Sequence, residues 1–156
     1  MLLHLYRKNP CLYELDHSWD GFEWINANDA DRSIFSFVRK SIDGKNNMLF
    51  VINFTPVARD DYRVGVPKNK TYKLVLNSED PKFRGKDTDR QVSYKAQKQE
   101  CDGREYSFAY PLPAYGVAVM QYTAFLPPVS RLCVFSCHCF LMAFSSSAAA
   151  SAVVTS

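Results

Sequence analysis

Five carboxylate side chains lie between residues 16 and 31, and carboxylates are the groups most glycoside-cleaving sites use. They are Asp16, Asp20, Glu23, Asp29 and Asp31. A retaining site needs two carboxyl groups about 5 Å apart, one as nucleophile and one as acid and base. Nothing in the spacing fixes such a pair, and Asp is favoured at turns because its side chain bonds the neighbouring backbone. We therefore assign no catalytic residue.

The cysteines and histidines offer two other kinds of chemistry, metal binding and nucleophilic attack. A group near the C-terminus has the spacing of soft metal ligands and consists of Cys133, Cys137, His138 and Cys139. This group stands in an apolar run without an acidic residue to orient the imidazole, so we interpret its cysteines as small apolar side chains. His4 and His17 belong to no catalytic pattern, and no glycine-rich phosphate loop is present. The sequence predicts neither a metal site nor a cofactor.

Three aromatic residues, Trp19, Phe22 and Trp24, stand within six positions of one another. Aromatic faces stack on sugar rings through the same apolar contact that buries them in protein cores. Trp19 and Trp24 are therefore candidate sugar-stacking residues. The interpretation we favour is that the aromatic side chains fill a seam between two domains.

Composition limits the class of protein. The 156 residues suit one domain of ordinary size, and a hydrophobic share of 47% allows a buried core. The net charge of +3 comes from alternating basic and acidic residues, a pattern that predicts a solvated surface and no nucleic-acid site. An odd count of five cysteines and the lack of an N-terminal signal peptide indicate a reducing compartment, and we expect a cytoplasmic location.

The order of elements predicts an all-β fold. An apolar stretch over residues 2–6 has helical spacing and is stopped by Asn9-Pro10. Short alternating runs bounded by Gly, Pro, Asn and Asp then predict strands over residues 33–39, 48–54, 61–66, 71–76, 90–95, 105–110 and 115–120. We expect core positions within these strands at Phe54, Tyr62, Tyr72, Phe108 and Tyr110. Such a series of strands is typical of an antiparallel β-sandwich.

Two motifs carry a resemblance to a known family. The first is Gly21-Phe22-Glu23-Trp24-Ile25, and the second is Asn53-Phe54-Thr55-Pro56-Val57. From Leu5 to about Val119, the chain closely resembles the C-terminal end of a bacterial 1,4-α-glucan (glycogen) branching enzyme of the α-amylase superfamily. The resemblance covers the last helix of the catalytic barrel and the all-β C-terminal domain, and it leaves out the barrel that carries the chemistry.

The resemblance implies a division of the chain and a structural role. Residues 1–20 correspond to the end of the last barrel helix and a connector, so the helix is expected to need preceding sequence to pack against. Residues 21–122 correspond to the all-β domain. In the family, this domain covers one side of the barrel. The resemblance therefore implies that the interface with the barrel includes Phe22, Trp24, Asn53, Thr55 and Pro56.

The resemblance also implies a parent activity. The full-length enzymes transfer an α-1,4-glucan segment to a 6-hydroxyl and make an α-1,6 branch, without a metal or organic cofactor. The catalytic carboxylates sit on barrel loops, upstream of the matching region, so we expect this chain alone to be inactive. The expected partners are the catalytic barrel and α-glucan chains. An independent carbohydrate-binding module is the alternative.

Residues 123–156 depart from the family. They contain a Pro-Pro breaker, an apolar run over residues 132–144 and a Ser/Ala-rich end. The run of thirteen residues falls short of the ~20 that a membrane-spanning helix needs. We interpret this tail as disordered sequence foreign to the family, added beyond a disrupted reading frame. The other hypothesis is a tail that drives contact with a membrane or a partner protein.

Overall fold

The computed structural model describes residues 2–86 and 91–123. The chain begins with helix α1 (Leu2–Lys8), and single 3₁₀ turns follow at Pro10–Leu12 and Trp19–Gly21. The strands are β1 (Phe22–Asp29), β2 (Ile34–Arg39), β3 (Asn47–Asn53), β4 (Arg59–Val66), β5 (Thr71–Asn77), β6 (Ser93–Lys95), β7 (Tyr106–Leu112) and β8 (Val117–Tyr122). A third 3₁₀ turn, Pro81–Phe83, lies between β5 and β6.

The strands form two antiparallel sheets packed as a sandwich. The larger sheet has the order β1-β2-β3-β8-β5-β6, and the smaller one pairs β4 with β7. Alternation along each strand sends one set of side chains into the space between the sheets. The fully buried side chains there include Val38, Leu49 and Met120 from the larger sheet and Val64 and Tyr110 from the smaller. The predicted antiparallel β-sandwich is confirmed.

Most predicted elements are present with shifted ends. The helix stops before Asn9-Pro10 as expected, and the hairpin turn before β3 contains Gly44 with a positive φ of 65°. The last strand begins and ends two residues later than predicted, because Tyr115 has a left-handed backbone (φ 50°) and belongs to the turn. Strand β7 runs through Pro111 and ends at Leu112, two residues later than predicted.

Two features of the fold escaped the sequence reasoning. Residues 22–29 form a full strand, although no strand was predicted there and Phe22 and Trp24 were expected to fill a seam. Phe54 was expected in the core and is 60% exposed, because β3 ends at Asn53 and the chain turns outward. The other four predicted core aromatics are buried, at 5% exposure or less, and they are Tyr62, Tyr72, Phe108 and Tyr110.

The predictions for the tail lie outside the described residues, and so does the cysteine group at residues 133–139. Within residues 2–86 and 91–123, no helix is long and apolar enough to cross a membrane. In the same part of the chain, no three His, Cys, Asp or Glu side chains gather where they could hold a metal ion. The division at residues 20 and 122 stays a prediction.

Candidate functional site

The face of the larger sheet that points away from the core, here called the outer face, carries a row of aromatic rings. In β2, Ile34 and Val38 point into the core, so Phe35 and Phe37 point outward. Register then places Trp24 of β1 opposite Phe37, and Phe37 opposite Phe50 of β3. Together with Phe22, these side chains form what we call the aromatic ladder: Phe22, Trp24, Phe37 and Phe50.

The geometry of the aromatic ladder decides what it can bind. The rings of Phe37 and Phe50 are parallel within 8° and have centroids 4.8 Å apart, which matches the spacing of about 4.8 Å between strands. Phe22 also stacks on Phe37, at 5.2 Å. Phe37 therefore stacks on both of the other phenyl rings, and ring faces that cover one another are not available to a sugar ring.

Helix α1 and the 3₁₀ turn after it cover the neighbouring part of the outer face. Buried Cys11 packs with Met48 and Val119, and half-buried Leu5 and Leu12 extend this second apolar cluster. Burial raises the pKa of the Cys11 thiol to about 11, so this side chain is neutral at neutral pH. Packing against α1 therefore buries only part of the outer face.

A groove of about 490 Å³ remains between α1 and the aromatic ladder. Its lining is almost entirely apolar and consists of Leu2, Leu3, Leu5, Tyr6, Leu12, Phe37, Arg39 and Phe50. On the α1 side, Leu2 is 62% exposed and Leu3 is 76% exposed. Exposed apolar groups on two sides of a groove form a surface suited to another apolar surface.

Arg39 fixes the N-terminal segment to the sheet. Its guanidinium donates to the carbonyl oxygens of Cys11 and Leu12 at 3.4 and 3.3 Å, and it pairs with the Asp16 carboxylate at 2.5 Å. This side chain closes one end of the groove and holds the connector in place. Sequence reasoning missed Arg39, because nothing local marks an arginine on a strand as the partner of a segment 23 residues away.

Glu23 sits in a second charged cluster at the edge of β1. It forms ion pairs with Lys40 and, at 2.6 Å, with Arg104. Arg104 also donates to the carbonyl oxygen of Trp24 at 3.2 Å, which satisfies a backbone group on this edge strand. Burial opposes ionisation of Glu23, but the hydrogen bonds and charges of Lys40 and Arg104 hold its pKa below the usual range.

The other early carboxylates also have partners. Asp20 accepts from the Ser18 hydroxyl at 3.0 Å, and Asp29 pairs with Arg32 at 2.8 Å. Asp20 and Asp29 thus bond within their own turns, as the turn interpretation expects, whereas Asp16 pairs with Arg39, 23 residues away.

Asn53 joins the loop after β3 to the turn before β8. Its side-chain nitrogen donates to the carbonyl oxygens of Val57 and Pro113, both at 2.9 Å. Its side-chain oxygen accepts from the backbone amide and hydroxyl of Thr55, at 2.9 and 2.7 Å. The Asn53 amide is buried and fully used inside the domain, whereas Pro56 is exposed and Thr55 is half-buried.

The structure brings together some of the predicted interface residues and separates others. Phe22 and Trp24 lie in the aromatic ladder, whereas Asn53, Thr55 and Pro56 lie past the end of β3. Trp19 is 87% exposed on its 3₁₀ turn. The assignment of these residues to an interface or to sugar stacking stays a prediction. Sequence reasoning missed Phe37 and Phe50 as members of this surface. Strand β2 has apolar residues on both faces, which was a signal that both faces are covered.

Comparison with known proteins identifies the family. The model of the "alpha amylase, C-terminal all-beta domain" matches residues 24–123. The chain is 46% identical over 121 residues to the 1,4-alpha-glucan branching enzyme GlgB of Butyrivibrio fibrisolvens, a match that covers 78% of the chain and 19% of that enzyme. It is 40% identical over 112 residues to the enzyme of the same name from Halothermothrix orenii, a match that covers 72% of the chain and 18% of that enzyme.

A third relative, the enzyme of the same name from Aquifex aeolicus, is 37% identical over 121 residues, with 78% of the chain and 19% of the relative covered. The chain thus spans about a fifth of the length of the curated relatives it matches. These matches confirm the resemblance to the all-β domain of branching enzymes. The chain belongs to the alpha-amylase C-terminal all-β domain family.

Proposed function

We propose that this chain is the β-sandwich part of a 1,4-α-glucan branching enzyme and that its outer face packs against the catalytic domain. The names of the relatives support the first part, and the fact that the chain covers only about a fifth of their length leaves room for a catalytic domain. Branch formation would then be the work of the whole enzyme. The role of this chain is to stabilise the catalytic barrel.

The observation that carries the proposal is the incomplete burial of the outer face. In the aromatic ladder Trp24 stays 48% exposed, and the groove beside α1 is open and apolar. A continuous apolar surface of this kind on a soluble domain usually marks a contact with another protein surface. The stacked phenyl rings favour such a contact over an independent carbohydrate-binding module, because a ring face that covers another ring is not available to a sugar.

A chimeric enzyme tests this function. Residues 2–122 replace the matching segment of the Butyrivibrio fibrisolvens enzyme, and branching of amylose and the thermal midpoint are measured. We expect an active enzyme whose midpoint falls when Leu3→Glu and Trp24→Glu are introduced together, since both place a charge in the contact. The matched control is Val92→Glu, because Val92 is 61% exposed and adjoins β6 at the far edge of the sheet. Equal midpoints for the double variant and the control would contradict the docking surface.

We also infer contact with α-glucan chains and a cytoplasmic location. The exposed ring of Trp19 supports the first inference. The free thiols of Cys11 and Cys101 support the second, because a reducing compartment keeps thiols free. Fractionation of cells that express the chain tests the location, and recovery outside the cytoplasm would contradict it.

A further inference from the structure

We propose that Trp19, assisted by Asp20, is the surface site through which this domain holds an α-1,4-linked glucan chain, and that Trp24 takes no part. This inference rests on the proposed function, from which it takes the ligand class. It assigns the two tryptophans of the chain to different partners. Trp19 would contact the glucan, and Trp24 the catalytic domain.

The indole ring of Trp19 is exposed to solvent. Trp19 is 87% exposed, the largest exposure among the large hydrophobic side chains of the described residues. A tryptophan can bury about 150–250 Å² on contact, so an indole left in water is a strong candidate for binding a flat apolar surface. No other ring in the described part of the chain stacks on it, so both of its faces are free of aromatic contacts.

Hydrogen bonds and close packing hold the backbone that carries the ring. Trp19 opens a 3₁₀ turn, and the Ser18 hydroxyl caps this turn by accepting from the Asp20 amide at 3.2 Å. The carbonyl oxygen of Trp19 accepts from the amide of the next strand residue, Phe22. Gly21 lies so close to Leu15 that an added Cβ would be 2.4 Å from the Leu15 Cβ. A fixed backbone reduces the entropy lost when a ligand binds.

Asp20, the next residue after Trp19, supplies a polar group. A glucose unit has apolar C–H faces and a rim of hydroxyl groups, so a site needs an aromatic face and hydrogen-bond acceptors next to it. Asp20 is exposed, and one of its oxygens is oriented by the Ser18 hydroxyl at 3.0 Å. No described residue donates to its other oxygen, Oδ1, which can therefore accept from a sugar hydroxyl.

Trp24 differs from Trp19 in each of these respects. Its ring is held edge-to-face by Phe22 at 5.0 Å and by Phe37 at 5.6 Å. It is part of the aromatic ladder, which the proposed function covers with the catalytic domain. A glucan and the catalytic domain would compete for Trp24, whereas Trp19 has no ring contact that a sugar must displace.

Because the chain has two tryptophans, each can be made the sole fluorescent reporter. In the Trp24→Phe variant, titration with maltoheptaose should shift and quench the emission of Trp19. In the Trp19→Phe variant, the same titration should leave the emission of Trp24 unchanged. Cellohexaose, a β-linked chain, controls for the linkage. An unchanged Trp19 signal in the presence of millimolar maltoheptaose would overturn the proposal.

Affinity electrophoresis gives the second readout, on the chain and on the chimeric enzyme, in gels with and without amylopectin. We expect Trp19→Ala to weaken retardation at least tenfold and Asp20→Asn to weaken it severalfold, while Trp24→Ala leaves it unchanged. Equal retardation of Trp19→Ala and the parent would overturn the site. An inactive, unfolded chimera would count against the docking function alone, because binding by the chain is measured separately.

Discussion

The backbone amide of Gly65 donates a 3.0 Å hydrogen bond to the Asp102 carboxylate, and the two residues are 37 positions apart. Asp102 also accepts from the side-chain amide of Asn26 at 3.0 Å. The acidic side chain thus joins β1 of the larger sheet to β4 of the smaller one. It lies in a two-residue hairpin turn closed by bonds between Cys101 and Arg104, at 3.0 and 2.8 Å. The turn residues Asp102 and Gly103 both have positive φ.

Gly65 is the position where this hairpin rests on the smaller sheet. A Cβ there would lie 2.4 Å from the carbonyl oxygen of Cys101, a backbone atom that cannot move freely. We expect Gly65→Ala to lower the free energy of unfolding by about 1–3 kcal/mol, measured by urea denaturation. Gly103→Asn is the contrasting variant, since Gly103 faces open space and asparagine tolerates its φ of 67°. If the two variants lose equal free energy of unfolding, the close approach of Gly65 to the Cys101 carbonyl oxygen is not the cause.

Asp102 should matter through its two acceptor oxygens. Asp102→Asn replaces one oxygen by an NH₂ donor, which must then face the Gly65 amide or the Asn26 amide. We expect a loss of about 1–3 kcal/mol in the free energy of unfolding, because a buried donor loses its partner. Asp61→Asn, at an exposed position of β4, is the control. It should change the free energy of unfolding by only about a few tenths of a kcal/mol. An Asp102→Asn variant with the same free energy of unfolding as the parent would show that the contact between sheets does not depend on the carboxylate.

Glu23 should make the fold sensitive to acid. Its pKa in the folded chain is lower than the ordinary value of 4.5, so the folded state binds this proton less readily than the unfolded state. Its contribution to stability is complete above about pH 4.5 and is lost as the pH falls through the folded pKa. Glu23→Gln should therefore narrow the stability difference between pH 7 and pH 3, measured as urea midpoints. Glu100→Gln, at an exposed position, is the control and should leave the difference between the two urea midpoints as it is in the parent chain. If Glu23→Gln also leaves it unchanged, Glu23 is not a source of the acid sensitivity.

The chain alone should have no branching activity. The carboxylates Asp16, Glu23 and Asp29 are engaged by arginine or lysine side chains, and none is placed as a nucleophile. Incubation of the purified chain with amylose, followed by debranching and chain-length analysis, should give the profile of a sample without protein. New α-1,6 linkages above that background would refute the prediction.

Removal of residues 123–156 should leave the fold intact. Strand β8 ends at Tyr122 and is paired on both sides, with β3 and with β5, so the larger sheet has no free edge there. We expect the deletion to leave the thermal midpoint unchanged or raise it, and to improve solubility, because an apolar, β-prone run is removed. A midpoint lowered by several degrees, roughly 1 kcal/mol for a domain of this size, would show that the tail packs on the sandwich.

The sequence by itself determined the elements that depend on neighbouring residues. Alternation over residues 33–39 predicts a strand with Phe35 and Phe37 on one face, and Cys101-Asp102-Gly103-Arg104 predicts a turn. Both predictions are confirmed, because strand period and turn conformation are local properties. The two motifs around residues 21–25 and 53–57 were also sufficient to recognise the family.

Only the tertiary structure decided which face of β2 is the core. Both faces are apolar, so local pattern cannot choose between them. Packing against the smaller sheet buried Ile34 and Val38 and left Phe37 in the aromatic ladder. The exposure of Phe54 and the hydrogen bond that the Asn26 side-chain amide donates to Asp102 have the same origin. Each depends on contacts between segments that are far apart in sequence, and such contacts form only when the whole chain is packed.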